Sequence, residues 1–135
     1  GTVRTYNKEI KKKIKKQIEE IVRNVVNLHQ GDYELEYRDG VIPTINTPEV
    51  CEVLKQVVVD TIGIDNYIEL DTVSMGVDDF AYYVDKAKGA MMSLGVRNEE
   101  KDCIYPLHNS RFNVDEDVFI IGVEVYLKAI LQYMK

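Results

Sequence analysis

The chain has 135 residues, 45% hydrophobic and 30% charged, which suits one ordinary domain core or pieces of two small ones and does not suit a disordered chain. Its formal net charge of -6 argues against general affinity for nucleic acid or an anionic membrane. No apolar stretch approaches the roughly 20 residues of a membrane helix, since Val118-Phe119-Ile120-Ile121 is followed at once by Gly122, Val123 and Glu124.

Thr2 to Tyr6 alternates weakly and carries β-branched residues, so a short strand is expected there. Gly1 is not an initiating Met, and no basic-then-apolar signal follows it, so the sequence reads as cut from something longer. Asn7 then offers a helix cap. Ile10, Ile14, Ile18, Ile21, Val25 and Leu28 recur at spacings of three and four, which is one helix face, and Gly31 is expected to end it. Tyr33-Glu34-Leu35-Glu36-Tyr37 alternates as a half-buried strand should. A connector with Gly40 and Pro43 follows, marking a boundary between two structural units.

Thr47-Pro48-Glu49 is a strong helix start, with a capping hydroxyl, proline at the first helical position and an acid in the first turn. Val50, Leu54, Val57, Val58 and Ile62 supply the buried stripe and Gly63 the stop. Tyr67 to Leu70 reads as a strand, Asp78 to Val84 as a short helix, and Gly89 to Gly95 as a buried strand. Asn113, with Glu116 three residues on, is capping-box-like and opens the last helix, whose buried face is Val118, Ile121, Val125 and Leu131. The alternation of helix and strand predicts an α/β fold, with a mixed or parallel sheet covered by helices.

Several features invite chemistry. The lysines Lys11, Lys12, Lys13, Lys15 and Lys16 fall off the isoleucine stripe and read as a solvated helix face. Cys51 lies in an apolar helix pattern and Cys103 in a polar loop where it could be exposed. Without C-x-x-C spacing they suggest a reducing, cytoplasmic setting. In Ser74-Met75-Gly76-Val77-Asp78-Asp79-Phe80 the acids could simply cap a helix, or Gly76 could let a substrate approach the backbone. Arg4 could pair with an acid or clamp a substrate carboxylate with its planar fork. His108 stands on a proline-marked loop before the last helix, where a metal ligand or proton carrier would sit. A zinc-type catalytic site takes about three protein ligands; His29 reads as a helix-end residue, and Asp115, Glu116 and Asp117 as helix caps.

Taken in order, Gly1-Thr2-Val3-Arg4-Thr5, Ser74 to Tyr83, and Tyr105-Pro106-Leu107-His108-Asn109-Ser110-Arg111-Phe112 resemble the metal-dependent amidohydrolases and peptidases that include aminoacylases, hippurate hydrolases and indoleacetyl-amino-acid hydrolases. The resemblance covers essentially the whole chain and implies the C-terminal portion of such an enzyme. Residues 1–46 would be the second half of a ferredoxin-like lid or dimerisation domain, a strand-helix-strand piece, and residues 47–135 the C-terminal segment of the catalytic domain.

It also implies His108 as a metal ligand, Arg4 as the lid arginine that binds the substrate's carboxylate, and the Gly76 loop as part of the substrate cleft. The metal would be zinc or manganese, two ions per intact site. The substrate would be an N-acyl amino acid or small peptide, and the lid piece would support a homodimer. The family's His/Cys metal motif and its paired glutamates, one of them the general base, do not occur in this sequence, so the chain alone is expected to have no amidase activity. The alternative from another class is a non-catalytic α/β interaction or dimerisation module.

Overall fold

A computed structural model describes residues 1–134. Its regular structure is helical: α1 (Lys8–Leu28), α2 (Pro48–Ile62), a 3-10 turn (Ile64–Asn66), the single-turn α3 (Ala81–Val84), a second 3-10 turn (Glu116–Val118) and α4 (Phe119–Tyr133). The chain divides into two compact units. The first combines Gly1–Ile45 with Thr72–Ala87, and the second combines Asn46–Asp71 with Lys88–Lys135.

In the first unit, α1 starts where the cap signal predicts. The Asn7 side chain accepts from the amides of Glu9 at 2.7 Å and Ile10 at 3.2 Å, which satisfies two of the first-turn donors that have no partner inside the helix. Its end is subtler than a glycine stop. The amide of Gly31 donates to the carbonyl of Val26 and that of Gln30 to the carbonyl of Asn27, both at 3.1 Å, and Gln30 takes the left-handed position at φ 52°. This is a Schellman closure in which glutamine holds the place usually given to glycine.

The lysine-rich face is engaged locally. Lys12 pairs with Glu9 at 2.9 Å, Lys11 reaches Asp39 at 3.2 Å, and Lys15 lies 4.8 Å from the centre of the Tyr37 ring. The apolar stripe is less covered than its period suggests. Ile14 and Ile18 are half-buried, while Ile10, Ile21, Val25 and Leu28 are exposed, Leu28 at 79%.

The second unit is built on α2 packed against α4. Val57 at 3% exposure, Val125 at 2% and Val50 form its core together with Cys103. Gly122 gives α4 a close approach, because a Cβ there would stand 3.3 Å from Leu94 Cδ2. Lys128 Nζ also donates to Thr61 Oγ1 at 3.1 Å, tying one helix to the other. Helix α2 starts and stops as the sequence predicts, at Pro48 and before Gly63, whose φ of 84° ends the helix. Leu131, expected on the buried face of α4, is 62% exposed. Asp115, not Asn113, caps the last helical segment, and its side chain accepts from the Asp117 amide at 3.3 Å.

The expected α/β fold is corrected here. Among the described residues there is no strand and no sheet, only an isolated antiparallel bridge between Asn98 and Cys103. Thr2–Tyr6, Tyr33–Tyr37, Tyr67–Leu70 and Gly89–Gly95, all expected as strands, carry none. The physical reason is that alternation fixes which side chains share a face but does not supply the neighbour whose amides and carbonyls complete a ladder.

The segment from Gly89 shows what replaces that neighbour. Thr47 donates its amide to the Gly89 carbonyl at 2.8 Å and accepts the Gly89 amide on its hydroxyl at 3.1 Å. Beside it, the Asn46 side-chain amide donates to the Met91 carbonyl at 2.8 Å and accepts the Met91 amide at 2.9 Å. Asn46 thus gives Met91 the two bonds that a partner residue in a sheet would give. The hydroxyl of Thr47, expected to cap α2, is spent on this pairing and makes no cap bond.

Candidate functional site

Arg4 and the Gly76 loop, far apart in sequence, come together in the first unit. Arg4 Nη1 donates to the Met75 carbonyl at 2.7 Å. The loop is shaped by Ser74, whose hydroxyl accepts the Gly76 amide at 3.0 Å, and a Cβ on Gly76 would stand 3.1 Å from that oxygen. A side chain at position 76 would therefore fit only if the Ser74 hydroxyl gave way by a few tenths of an ångström. Two further residues of the leading segment grip the same stretch. The Tyr6 hydroxyl donates to the Val73 carbonyl at 2.9 Å, and Lys8 Nζ pairs with Asp85 at 3.0 Å. The Lys8 ammonium, then that of Lys86, hold the Asp85 carboxyl below its ordinary range. Asp78 accepts the Phe80 amide on its carboxylate at 2.8 Å, in the turn ahead of α3, whose N-cap position is Phe80 and carries no side-chain cap bond.

His108 belongs to the second unit and is exposed. It stands in a turn in which the Asn109 amide donates to the Pro106 carbonyl at 3.2 Å, and its φ of 68° is a conformation that side chains other than glycine adopt infrequently. The turn is fastened from its far side. The Arg111 amide donates to Asn109 Oδ1 at 2.8 Å, its guanidinium pairs with Asp102 at 3.1 Å, and it lies 4.1 Å from the centre of the Tyr105 ring. A planar guanidinium against an aromatic face is a favourable contact in addition to the ion pair.

Behind this turn the bridge between Asn98 and Cys103 closes a short loop. Its amides and carbonyls exchange bonds at 3.0 and 2.8 Å. Cys103, placed by the sequence in a polar loop where it could be exposed, is buried. The buried Asp115 carboxylate accepts from Asn98 Nδ2 at 2.7 Å and from Lys101 Nζ, which also binds Asp117. Lys101 is the largest cause, and Asn98 the second, of the lowering of the Asp115 carboxyl below its ordinary range. The two carboxylates in turn raise the Lys101 ammonium well above its own. This cluster anchors the loop to the start of the last helix.

The residues that the sequence overlooked are Tyr6, Lys101, Arg111 and the anchoring role of Asp115. Tyr6 had a usable signal, since in an extended segment it shares a side with Arg4. Lys101 had none, because its two partners lie beyond a turn whose path the sequence does not state. Among the described residues no group of three or more His, Cys, Asp or Glu side chains is arranged to hold a metal ion. The residues present therefore do not by themselves fit a catalytic zinc-type site.

The model of peptidase family M20/M25/M40 matches residues 4–132. Thermostable carboxypeptidase 1 of Saccharolobus solfataricus is 35% identical over 90% of this chain and 30% of its own length. The probable hydrolase sll0100 of Synechocystis is 34% identical over 98% of this chain and 34% of its own length. IAA-amino acid hydrolase ILR1-like 6 of Arabidopsis thaliana is 33% identical over 68% of this chain and 20% of its own. The chain spans about a third of the length of the first two, and no solved structure matches it.

Proposed function

Because the chain belongs to peptidase family M20/M25/M40, we propose that it is part of a longer hydrolase that cleaves the amide bond of N-acyl amino acids or small peptides. In this reading the chain supplies substrate contacts and does not catalyse the reaction alone. Arg4 grips the substrate's carboxylate through charge-assisted, bidentate hydrogen bonds. The Gly76 loop lines the cleft, its missing side chain leaving room for the substrate at the backbone. His108 is one ligand of a divalent metal, zinc or manganese, whose remaining ligands and partner base come from elsewhere in the whole protein. The lid piece, residues 1–46, supports a homodimer, and the enzyme works in the cytoplasm.

The observation that carries this reading is the hydrogen bond from Arg4 to the carbonyl beside Gly76. It joins the group suited to a carboxylate to the glycine loop suited to a close approach, within one compact unit.

The test is hydrolysis of N-acetyl amino acids by the purified chain, alone and together with the additional segments that its relatives carry, each with zinc or manganese. The chain alone should give no turnover, and the combination should give turnover that depends on metal and is lost in His108→Ala. Turnover by the chain alone, or by the combination with His108→Ala, would refute the assignment.

A further inference from the structure

The leading segment is attached to the Gly76 loop by side chains, not by a backbone ladder. Arg4 donates to the Met75 carbonyl and Tyr6 to the Val73 carbonyl. As the donor moves two residues forward, the acceptor moves two residues back, which is the register of an antiparallel pair. Residues 4 and 6 share a side of an extended segment, and so do carbonyls two residues apart.

We propose that Tyr6 is a positioning residue for Arg4: its hydroxyl fixes the register in which the guanidinium meets the Gly76 loop. The inference rests on the reading of Arg4 as the carboxylate clamp. The bond to Met75 uses Nη1 alone, so the Nε and Nη2 edge, which matches a carboxylate with two parallel N–H groups, remains available. One bond at the tip of a long side chain leaves the guanidinium free to pivot. The second bond, from Tyr6, is made by a rigid aromatic side chain two residues away and removes the freedom of the segment to slide. Bidentate recognition depends on that orientation, because both N–H groups must point at the ligand together. Lys8, the first residue of α1, pairs with Asp85 outside that register and ends in a point charge that sets no plane.

The test is nitrogen-15 NMR of the arginine side chains in the 135-residue chain, with the signal of Arg4 Nη1, the nitrogen that donates to Met75, assigned by its absence in Arg4→Ala. In Tyr6→Phe its exchange with water should be about fivefold faster, the factor that corresponds to one hydrogen bond of ordinary net strength. Helix content by circular dichroism should not change, because Val73 and Tyr6 are exposed and the freed carbonyl is hydrated. An Arg4 signal that exchanges in Tyr6→Phe as it does in the parent chain overturns the positioning role. A second arm tests the clamp itself. N-acetyl-leucine should shift the Arg4 signal while N-acetyl-leucinamide, which lacks the carboxylate, should not, and Tyr6→Phe should weaken that titration about fivefold. Equal responses to acid and amide would overturn the clamp while the exchange measurement still decides the role of Tyr6.

Discussion

Val125→Ala tests whether the contact between α2 and α4 is the core of the second unit. Val125 is 2% exposed and sits in α4. The substitution removes two methyl groups that are out of water in the folded chain. At about 0.8 kcal/mol for each, the transfer loss is roughly 1.6 kcal/mol. The cavity left behind adds to this because a packed interior relaxes only partly, so the expected cost is about 2 kcal/mol. Alanine is a better helix former than valine, which returns a few tenths of a kcal/mol. Urea unfolding followed by helix circular dichroism should therefore show a lower midpoint with an unchanged slope. The control is Leu131→Ala on the same helix, where a 62% exposed side chain should cost no more than about 0.5 kcal/mol. A Val125 variant as stable as the parent chain, or a Leu131 variant as costly as Val125→Ala, would refute this account of the core.

Three other outcomes follow from particular contacts. Thr47→Val keeps the shape but removes the hydroxyl that accepts the Gly89 amide, so that amide should lose hydrogen-exchange protection by about tenfold, while Thr47→Ser should retain it. Gln30→Gly relieves a left-handed residue in the closure of α1 and should stabilise the chain by about 0.5 kcal/mol in thermal melts, unfolded-state entropy offsetting part of the gain. Asp115, lowered in the fold from its ordinary 3.8, contributes stability that is fully present above that value and is lost as pH falls through the lower folded value. Asp115→Asn should therefore be less stable than the parent chain at pH 6, with the difference closing in acid urea titrations. The raised Lys101 ammonium keeps its contribution through neutral pH and loses it only above its ordinary 10.5.

The elements that the sequence declares best are those decided by residues close to one another. Asn7, Pro48 and Gly63 act through backbone groups within a turn, so their effect is local and was readable. Strands are decided by a neighbour. Tyr33 to Tyr37 has the alternation but no ladder beside it, and Met91 finds its bonds in the side chain of Asn46, which no periodicity announces. The end of the chain shows a finer failure. Asn113 and Asp115 both fit a helix cap, and Asp115 takes the role because Lys101 and Asn98 already hold its carboxylate. Of the site, residue types were legible and juxtapositions were not. Arg4 and Gly76 were singled out separately, but the bond that joins their neighbourhoods spans 71 positions.

The interleaving of the two units bears on how the molecule can be dissected. Thr72–Ala87 is covalently in the middle of the second unit yet belongs to the first. No single cut in the polypeptide therefore releases either unit whole. Cleavage after Ile45 would strand Arg4, Tyr6 and Lys8 without the carbonyls and carboxylate they hold. Isolating the second unit would instead require excising Thr72–Ala87 and rejoining Asp71 to Lys88, leaving the bonds of Asn46 and Thr47 to keep its two strands of chain in register.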